Sequence, residues 1–324
     1  MEKTDNILSD LASDVLNGLS STPKRLSSRF FYDSEGDQLF QQIMDLPEYY
    51  LTRLEYQILI TRKSDISGLF MEIAQPFDLI DLGAGDAKKT KILLTDLLER
   101  ESVFRYVPVD ISASSIKSLS DNLKTEFPAL EVAPEVGTYH QVLDRLKTTS
   151  GTRRIFLLLG SNIGNLTHRN AVKLLSSIKD AMGMEDLLFA GFDQKKDPET
   201  ILAAYNDSQG ITARFNKNLL ERINRELGAS FDPETFTHWP TYNPQTGTVK
   251  SFLVSRKEQV IPIPSLNLEV TFRKWESIHT EISQKYDHPL VKALAEESGL
   301  AVKAEIGDPE GWFKNYIFSR RTNT

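Results

Sequence analysis

Two glycines stand between a short apolar run and a helical pattern. The run FDLIDL at residues 77–82 is typical of a buried strand, and KKTKILLTDLLER, soon after it, is typical of an amphipathic helix. Gly83 and Gly85 permit a tight turn between them and let a ligand approach the backbone closely. Lys88 occupies the place of the third glycine in the nicotinamide fingerprint G-x-G-x-x-G. The segment therefore favours a nucleotide-like ligand other than a nicotinamide dinucleotide.

Two carboxylates accompany this turn. Asp81 stands just before it and can accept a hydrogen bond from an ammonium group, such as that of S-adenosylmethionine. Asp110 ends the next predicted strand, FRYVPVD, where a carboxylate typically receives the two hydroxyls of an adenosine ribose. We therefore predict S-adenosylmethionine as the cofactor and S-adenosylhomocysteine as its product, bound by these two aspartates, both glycines and Lys89. Another nucleotide or a plain structural turn remains open at this stage, and Asp110 alone can also be a helix cap.

A polar loop, LGSNIGN at residues 159–165, follows the fourth predicted core strand. Ligands of open α/β sheets bind beyond the carboxyl ends of the strands, which is where this loop falls. Asparagine both donates and accepts hydrogen bonds, so Asn165 can hold the amine and the carboxylate of a substrate. We expect Gly160 and Asn165 to contact the substrate, with an ordinary asparagine turn as the alternative.

The elements that position these residues alternate between strands and helices over residues 77–193. The strands are nearly continuous apolar runs, as in a parallel sheet that is covered on both faces. The C-terminal segment reads as helix, strand, loop and strand, which suits the antiparallel edge pair of a methyltransferase-type sheet. The pattern predicts an α/β fold with a doubly wound, Rossmann-like methyltransferase sheet.

A second region has a different pattern. Residues 199–227 are mostly helical, and alternating stretches with turn residues follow, which predict hairpins and an antiparallel sheet. We expect residues 1–56 and 196–284 to form an α+β substrate-binding domain, and residues 57–195 and 285–324 to form the cofactor-binding core.

Composition excludes several classes of protein. The 324 residues include no cysteine, so disulfides and thiolate chemistry are absent, which fits a reducing compartment. The net charge of −7 argues against a general nucleic-acid binder, and the five histidines have no ligand spacing, so we expect no metal site.

The N-terminus lacks the basic start and apolar run of a signal peptide, and no stretch approaches the ~20 apolar residues that span a bilayer. We expect a cytoplasmic enzyme with a small-molecule substrate, without membrane association or an obligatory protein partner.

Several motifs together resemble one family, the histidine Nα-methyltransferases of ergothioneine biosynthesis. The resemblance extends from about residue 20 to residue 320. In that family the enzyme uses S-adenosylmethionine to trimethylate the α-amino group of free histidine, which gives hercynine. The motifs that carry the resemblance are FYDSEGDQLFQQIMDLPEYYLTRLE, DLGAGDAKKT, LGSNIGNLT, AAYNDSQGITARFNKNLLERINREL and TEISQKY.

The resemblance gives roles to aromatic residues near the N-terminus. It implies that this segment folds back over the methyl-transfer site, where aromatic faces favour a sulfonium donor and a quaternary ammonium product by roughly 0.5–2 kcal/mol per contact. Tyr49 and Asn165 match positions that hold the carboxylate and amine regions of the substrate, and Tyr205 matches another carboxylate contact. Tyr32 and Phe40 match aromatic positions that line the reaction chamber. We expect Tyr32 or Asn165 to orient the amine for attack, whereas ordinary core packing is the alternative for these aromatic side chains.

Specificity for histidine is assigned to a segment near the end of the second region. An extended chain at HTEISQKY places Glu281 and Ser283 on one face and Ile282 on the other. An acceptor and a hydroxyl two residues apart can bind the two nitrogens of one imidazole. Glu281 and Ser283 also match the imidazole-binding pair of the family. Without the resemblance, both would be read as surface residues of an edge strand.

Two positions depart from the family pattern. The family commonly has Asp before an aromatic residue at the adenine-binding turn, and this sequence has Thr138 and Tyr139, which we still expect to contact the cofactor. Near the imidazole the family has a large apolar residue, and this sequence has Ser251, which we also expect to contact the substrate. A small polar residue there enlarges or wets the pocket, so an amino acid other than histidine remains open.

Three other functions stay possible on the sequence alone. An N-methyltransferase for tryptophan, tyrosine or a related amine would share the chemistry. A regulatory protein would bind S-adenosylmethionine without turnover. A nicotinamide oxidoreductase is disfavoured by the missing third glycine and by Asp81.

Overall fold

The computed structural model describes residues 2–147 and 151–321. The chain divides into two compact units, each made from separate segments. The core unit comprises Leu51–Lys195 and Lys285–Thr324, and the second unit comprises Met1–Tyr50 and Lys196–Gln284. Among the described residues, no helix combines the length and the apolar character that crossing a membrane requires.

The helices of the described residues are given first, in chain order. They are α1 (Glu2–Leu19), α2 (Ser34–Met44), α3 (Tyr50–Phe70), α4 (Thr90–Glu99), α5 (Ala113–Glu126), α6 (Tyr139–Lys147), α7 (His168–Ala181), α8 (Pro198–Ala203), α9 (Ile211–Leu227) and α10 (His288–Glu297).

The strands follow the same order. They are β1 (Lys24–Arg25), β2 (Phe77–Leu82), β3 (Phe104–Asp110), β4 (Glu131–Val132), β5 (Glu135–Val136), β6 (Arg153–Leu158), β7 (Leu187–Asp193), β8 (Phe236–Asn243), β9 (Thr248–Ser255), β10 (Gln259–Ile263), β11 (Leu268–Phe272), β12 (Ser277–Gln284), β13 (Leu300–Gly307) and β14 (Phe313–Arg320).

The core unit is built on one large sheet with the strand order β13-β14-β7-β6-β2-β3-β4, in which β5 also pairs with β3. Strands β2, β3, β6 and β7 pair in parallel, and β14 and β13 join antiparallel at one edge. The chain leaves β2 toward β3 and β4 and returns on the other side of β2 as β6. The strand order therefore reverses between β2 and β6, and ligands of open α/β sheets bind at such a switch point.

The sequence explains why this sheet is central. Every residue of β2, β6 and β7 is buried, as their apolar runs predict for strands covered on both faces. One hydrophobic cluster unites strand residues such as Ile80, Phe156 and Leu188 with helix residues such as Leu175 and Leu294. The predicted fold class, an α/β doubly wound sheet with an antiparallel edge pair, is confirmed.

The second unit contains a four-stranded sheet in the order β1-β12-β9-β8 and a separate β10–β11 hairpin. Strands β8, β9 and β12 are antiparallel, while the short β1 runs parallel to β12. Helix α9 contributes Leu219 and Ile223 to a hydrophobic cluster that includes Leu253 of β9 and Ile278 of β12. This unit is therefore an α+β arrangement with a core of its own.

Local details differ from the sequence-based expectations. The sequence LEVAPEVGTY predicts a single strand after the second helix of the core, but the segment forms the two short strands β4 and β5 on either side of Ala133 and Pro134. Proline has no N–H to donate to a sheet, which accounts for the interruption. The break at Pro47 and the hydroxyl of Thr52 predict a helix from about residue 53 to residue 64, but helix α3 runs from Tyr50 to Phe70. The division between the units falls after Tyr50, whereas residue 56 was the expected boundary.

Candidate active site

The glycine turn lies at the carboxyl end of β2, beside the switch point of the core sheet. Gly83 and Gly85 have positive φ angles of 83° and 54°, which side chains rarely tolerate. The amides of Gly83 and Ala84 donate to the carbonyl of Val109 at 2.9 and 3.1 Å, which ties the turn to the end of β3. A side chain on Gly83 would collide with the hydroxyl of Tyr139, whereas one on Gly85 would meet open space. The turn is thus a cradle that excludes a side chain at position 83 and favours glycine at position 85 because of its backbone conformation.

Asp81 is buried immediately before this cradle. Its Oδ2 atom accepts hydrogen bonds from the Thr90 hydroxyl at 2.6 Å and the Tyr106 hydroxyl at 2.8 Å. Burial raises the pKa of Asp81 to about 6, because a charge is less stable away from water; the negative charge of Glu55 adds to this rise, whereas the two hydroxyls oppose it. The carboxylate is therefore ionised at neutral pH and is able to hold an ammonium group.

Asp110 is half-buried at the end of β3. Its Oδ1 atom accepts a hydrogen bond from the amide of Ser112 at 2.8 Å, and Ser112 in turn caps α5. The alternative of Asp110 as a helix cap is therefore wrong, because Ser112 is the cap and Asp110 only supports it. An ionised carboxylate offers about four acceptor positions, so this one bond leaves capacity for ribose hydroxyls.

Thr138 and Tyr139 occupy the start of α6. The Thr138 hydroxyl accepts from the amide of Gln141 at 3.3 Å and lies 3.2 Å from its side-chain oxygen, which is a capping arrangement. Burial raises the pKa of Tyr139 to about 12, and the charges of Asp81 and Asp110 act in the same direction. The Tyr139 hydroxyl therefore lies near both predicted cofactor carboxylates.

The loop after β6 has an unusual backbone. Gly160 and Ser161 are consecutive residues with positive φ angles, 78° and 54°, and a short 3₁₀ turn, Asn162–Asn165, follows. The Ser161 hydroxyl accepts from the amide of Asp193 at 3.0 Å, which fastens the loop to the end of β7. Asn165 is exposed at the end of this turn. The structure thus places Gly160 and Asn165 at the rim of the core sheet.

Lys89, predicted as a cofactor contact, forms an ion pair. Its ammonium lies 2.6 Å from Oε2 of Glu55, whose side chain is fully buried in α3. Sequence reasoning missed Glu55, although a signal existed. Leu51, Leu54 and Ile58 are buried neighbours on the same face of the helix, so Glu55 interrupts an apolar stripe.

In the second unit, the predicted histidine-binding residues lie together. Glu281 and Ser251 are direct partners in the β12–β9 ladder, and the Ser251 hydroxyl donates to Oε2 of Glu281 at 3.0 Å. The Tyr205 hydroxyl donates to the Ser283 hydroxyl at 2.7 Å. A bulge between His279 and Glu281 interrupts the alternation of β12 just before this pair.

Tyr32 belongs to the same neighbourhood. The residue as a whole keeps 43% of its surface exposed, although protein atoms partly desolvate its hydroxyl. This desolvation raises the pKa of Tyr32, and the nearby negative charge of Glu281 raises it further, with a smaller effect from Tyr205. The Tyr32 hydroxyl therefore stays protonated throughout the physiological range and lies within the electrostatic influence of Glu281.

Aromatic residues of the N-terminal segment pack around Phe215 of α9. Three of them contact its ring, and a fourth contacts one of these three. The ring of Phe215 lies 4.7 Å from Phe31, 5.6 Å from Tyr32 and 5.9 Å from Phe40, and Phe40 lies 6.2 Å from Tyr49. Phe31 is fully buried, as an ordinary core residue is. Sequence reasoning missed Phe215, whose place on the apolar stripe of α9 was the available signal.

Taken together, the rim of the core sheet fits S-adenosylmethionine. The glycine cradle accommodates a ligand close to the backbone, Asp81 offers an anionic acceptor for an ammonium group, and Asp110 offers acceptors for ribose hydroxyls. No group of three or more histidine or acidic side chains that could hold a metal occurs in the described part of the chain. The fold and this set of donors and acceptors define an S-adenosylmethionine-dependent methyltransferase.

Comparison with known proteins identifies the family. The profile of the family described as "Histidine-specific methyltransferase, SAM-dependent" matches residues 11–320, and the chain belongs to this family. It is 36% identical over 309 residues to a histidine N-alpha-methyltransferase of Mycolicibacterium smegmatis, which covers 95% of this chain and 94% of the relative. It is also 36% identical over 290 residues to that of Mycobacterium tuberculosis, covering 90% and 88% of the two chains.

A more distant relative has another substrate in its name. The chain is 26% identical over 319 residues to a 4-dimethylallyltryptophan N-methyltransferase of Claviceps purpurea, covering 92% of this chain and 91% of the relative. The resemblance to this family is confirmed, as are the predicted class of enzyme and the predicted cofactor, S-adenosylmethionine.

Proposed function

We propose that the protein transfers methyl groups from S-adenosylmethionine to the α-amino nitrogen of free L-histidine and forms the trimethylated product hercynine. The observation that carries the proposal is the pair of side chains on β12. Glu281 and Ser283 are each held by a neighbouring hydroxyl, from Ser251 and Tyr205 respectively. An oriented carboxylate and an oriented hydroxyl are complementary to the two nitrogens of one imidazole ring.

The chemistry assigned to the cofactor is simple. S-adenosylmethionine supplies an electrophilic methyl group on a sulfonium, which a neutral amine can take in line. The protein's task is to bind and align the amine, with about 3–3.5 Å between the reacting atoms. We assign the substrate's carboxylate and amine regions to Tyr49, Tyr205, Gly160 and Asn165.

The Tyr32 hydroxyl serves as a hydrogen-bonding group for the amine. Its raised pKa keeps the hydroxyl neutral, so it orients the nitrogen without acting as a phenolate base. After each transfer the amine must lose a proton before the next, and we assign no protein group as the base. The ring faces of Tyr32 and Phe40 favour the quaternary ammonium product.

A second candidate substrate is another amino acid with a larger side chain. Ser251 is small, and a relative with 26% identity has dimethylallyltryptophan in its name. The hydrogen bond from Ser251 to Glu281, however, directs a charged acceptor at the substrate ring, which disfavours a purely apolar side chain. A cytoplasmic location and independence from protein partners remain predictions from the sequence.

The deciding experiment offers a panel of free amino acids with labelled S-adenosylmethionine and measures product mass. Histidine is expected to gain three methyl groups and to give the highest kcat/KM. Faster turnover of tryptophan or tyrosine would overturn the assignment of histidine. Binding of S-adenosylhomocysteine without methylation of any amino acid in the panel would support a non-catalytic protein.

A further inference from the structure

The charge of Glu55 is unusual because its side chain is fully buried within the core unit. A buried carboxylate is costly unless it is paired and hydrogen-bonded. Glu55 meets this condition with three donors: the ammonium of Lys89 at 2.6 Å, the amide of Gly160 at 2.7 Å and the side-chain amide of Asn315 at 3.0 Å.

Two of these donors meet on one atom. Lys89 and Gly160 both donate to Oε2 of Glu55. Lys89 precedes α4, just after the glycine cradle that follows β2, and Gly160 begins the loop that follows β6. A single oxygen atom therefore links the two loops that flank the switch point of the sheet.

The neighbouring strand leaves room for this carboxylate. Gly191 lies in the interior of β7, where a glycine ordinarily weakens a strand. A Cβ atom at position 191 would collide with Oε1 of Glu55 and would press on the ring of Phe313. The glycine is explained by the close approach of Glu55, so the placement of the carboxylate is built into the sheet itself.

The loop after β6 needs such an anchor. Gly160 and Ser161 both adopt left-handed backbone conformations, and for a non-glycine residue this costs roughly 1–2 kcal/mol. Conformations of this kind persist only where surrounding contacts impose them. The bonds from Gly160 to Glu55 and from Asp193 to Ser161 are two such contacts.

We propose that Glu55 is a positioning residue. It sets the distance between two loops on either side of the switch point, the glycine turn that leads to Lys89 and the 160–165 loop. Its carboxylate holds Lys89 and Gly160 at a fixed distance from each other. Cofactor binding therefore depends on a buried group that does not itself contact the cofactor. The inference rests on the cofactor site described above, and it adds a residue whose role is to hold that site in shape.

The test compares Glu55→Ala and Glu55→Gln with wild type in two measurements. One is the affinity for S-adenosylhomocysteine by calorimetry, and the other is amide exchange of a peptide covering residues 159–165 without ligand. Glu55→Ala is expected to weaken binding at least tenfold and to speed exchange at least tenfold. Glu55→Gln is expected to weaken binding while changing exchange less, because a glutamine carbonyl can still accept from Gly160.

Asp78→Asn is the matched control. Asp78 is a buried carboxylate at the other end of β2, where it accepts two hydrogen bonds from Arg105 at 2.8 and 2.9 Å. This variant is expected to lower the unfolding temperature without changing either measurement.

Failure of the proposal is distinguishable from failure of the site. If either folded Glu55 variant binds S-adenosylhomocysteine within twofold of wild type, the proposal is overturned. Faster loop exchange with unchanged affinity also overturns it, because the anchor would then serve the loop alone. If Glu55→Ala does not fold, Glu55→Gln decides the question. No binding by wild type would instead contradict the cofactor site.

Discussion

Asp81 shows how burial can prepare a single residue for binding. Its folded pKa of about 6 lies above the ordinary value of 3.8 because burial disfavours the charge. In the unliganded protein this shift stabilises the fold at low pH, and that stabilisation is lost as the pH rises through about 6. A ligand with an ammonium group has the opposite preference, because it binds the ionised carboxylate.

Binding of S-adenosylhomocysteine should therefore weaken below pH 6, by about tenfold per pH unit once Asp81 is largely protonated. Calorimetry between pH 5 and pH 8 measures this dependence, and Asp81→Asn should bind weakly at every pH. Tyr106→Phe removes a hydrogen bond to the charged form, so it should move the midpoint to higher pH. A midpoint that stays in place or falls in this variant would argue against the role of Asp81.

Glu281 carries the proposed specificity for the imidazole. Glu281→Gln keeps the shape of the side chain and removes its charge, and a hydrogen bond to a charged group contributes roughly 1.5–3 kcal/mol. The KM for histidine should therefore rise at least tenfold, while affinity for S-adenosylhomocysteine stays within twofold. Steady-state kinetics and calorimetry measure the two quantities.

Two further variants accompany this experiment. Ser251→Ala removes the hydrogen bond that orients Glu281 and should raise the KM by a smaller factor, about threefold. Glu276→Gln is the control, because Glu276 pairs with Lys24 just before β12 and has no proposed contact with substrate. An unchanged KM in Glu281→Gln would remove the assigned role.

At the scale of elements, Asp33 joins two helices of the second unit. Its side chain caps α2 by accepting from the amide of Gly36 at 2.8 Å, and it also accepts from Asn218 of α9 at 2.8 Å. Arg225 of α9 forms an ion pair with its other oxygen. Tyr32 directly precedes this residue, so the contact fixes the chain that presents the proposed substrate-orienting hydroxyl.

Asp33→Ala should lower the free energy of unfolding by about 1–2 kcal/mol, as for loss of a helix cap, and should also raise the KM for histidine. Denaturant unfolding and steady-state kinetics measure the two effects. Asp287→Ala is the matched control, since Asp287 caps α10 and pairs with Lys195 in the core unit. It should cost similar stability without affecting the KM. An unchanged KM in Asp33→Ala would show that the cap acts on stability alone.

The sequence predicts some elements better than others, for physical reasons. Strands buried on both faces consist of apolar runs, so β2, β6 and β7 can be read directly, and the glycine turn has a local signature. Glu55 instead meets partners that are 34, 105 and 260 positions away in the chain, and a local pattern cannot identify them. The bulge before Glu281 likewise depends on strand pairing, which periodicity does not specify, whereas the interruption at Pro134 has a signal in the sequence, the proline itself.

At the scale of the whole molecule, the chain divides its proposed ligand contacts between two units. Residues 81–90, Asp110 and the start of α6 belong to the core unit, whereas Tyr205, Glu281 and Ser283 belong to the second unit. Each unit has a separate hydrophobic cluster among the described residues, as a compact folding unit requires. Each ligand should therefore leave a distinct signature in amide exchange.

Exchange measured by mass spectrometry should show the following pattern. S-adenosylhomocysteine should slow exchange in peptides covering residues 81–90 and 106–112, and histidine added afterwards should slow exchange in a peptide covering residues 277–284. A ligand at 100 times its Kd stabilises the bound form by about 2.7 kcal/mol, which slows exchange through ligand-releasing openings about a hundredfold. Glu281→Gln should lose the histidine effect and keep the first. If histidine slowed exchange in the core unit alone, its proposed contacts on β12 would be wrong.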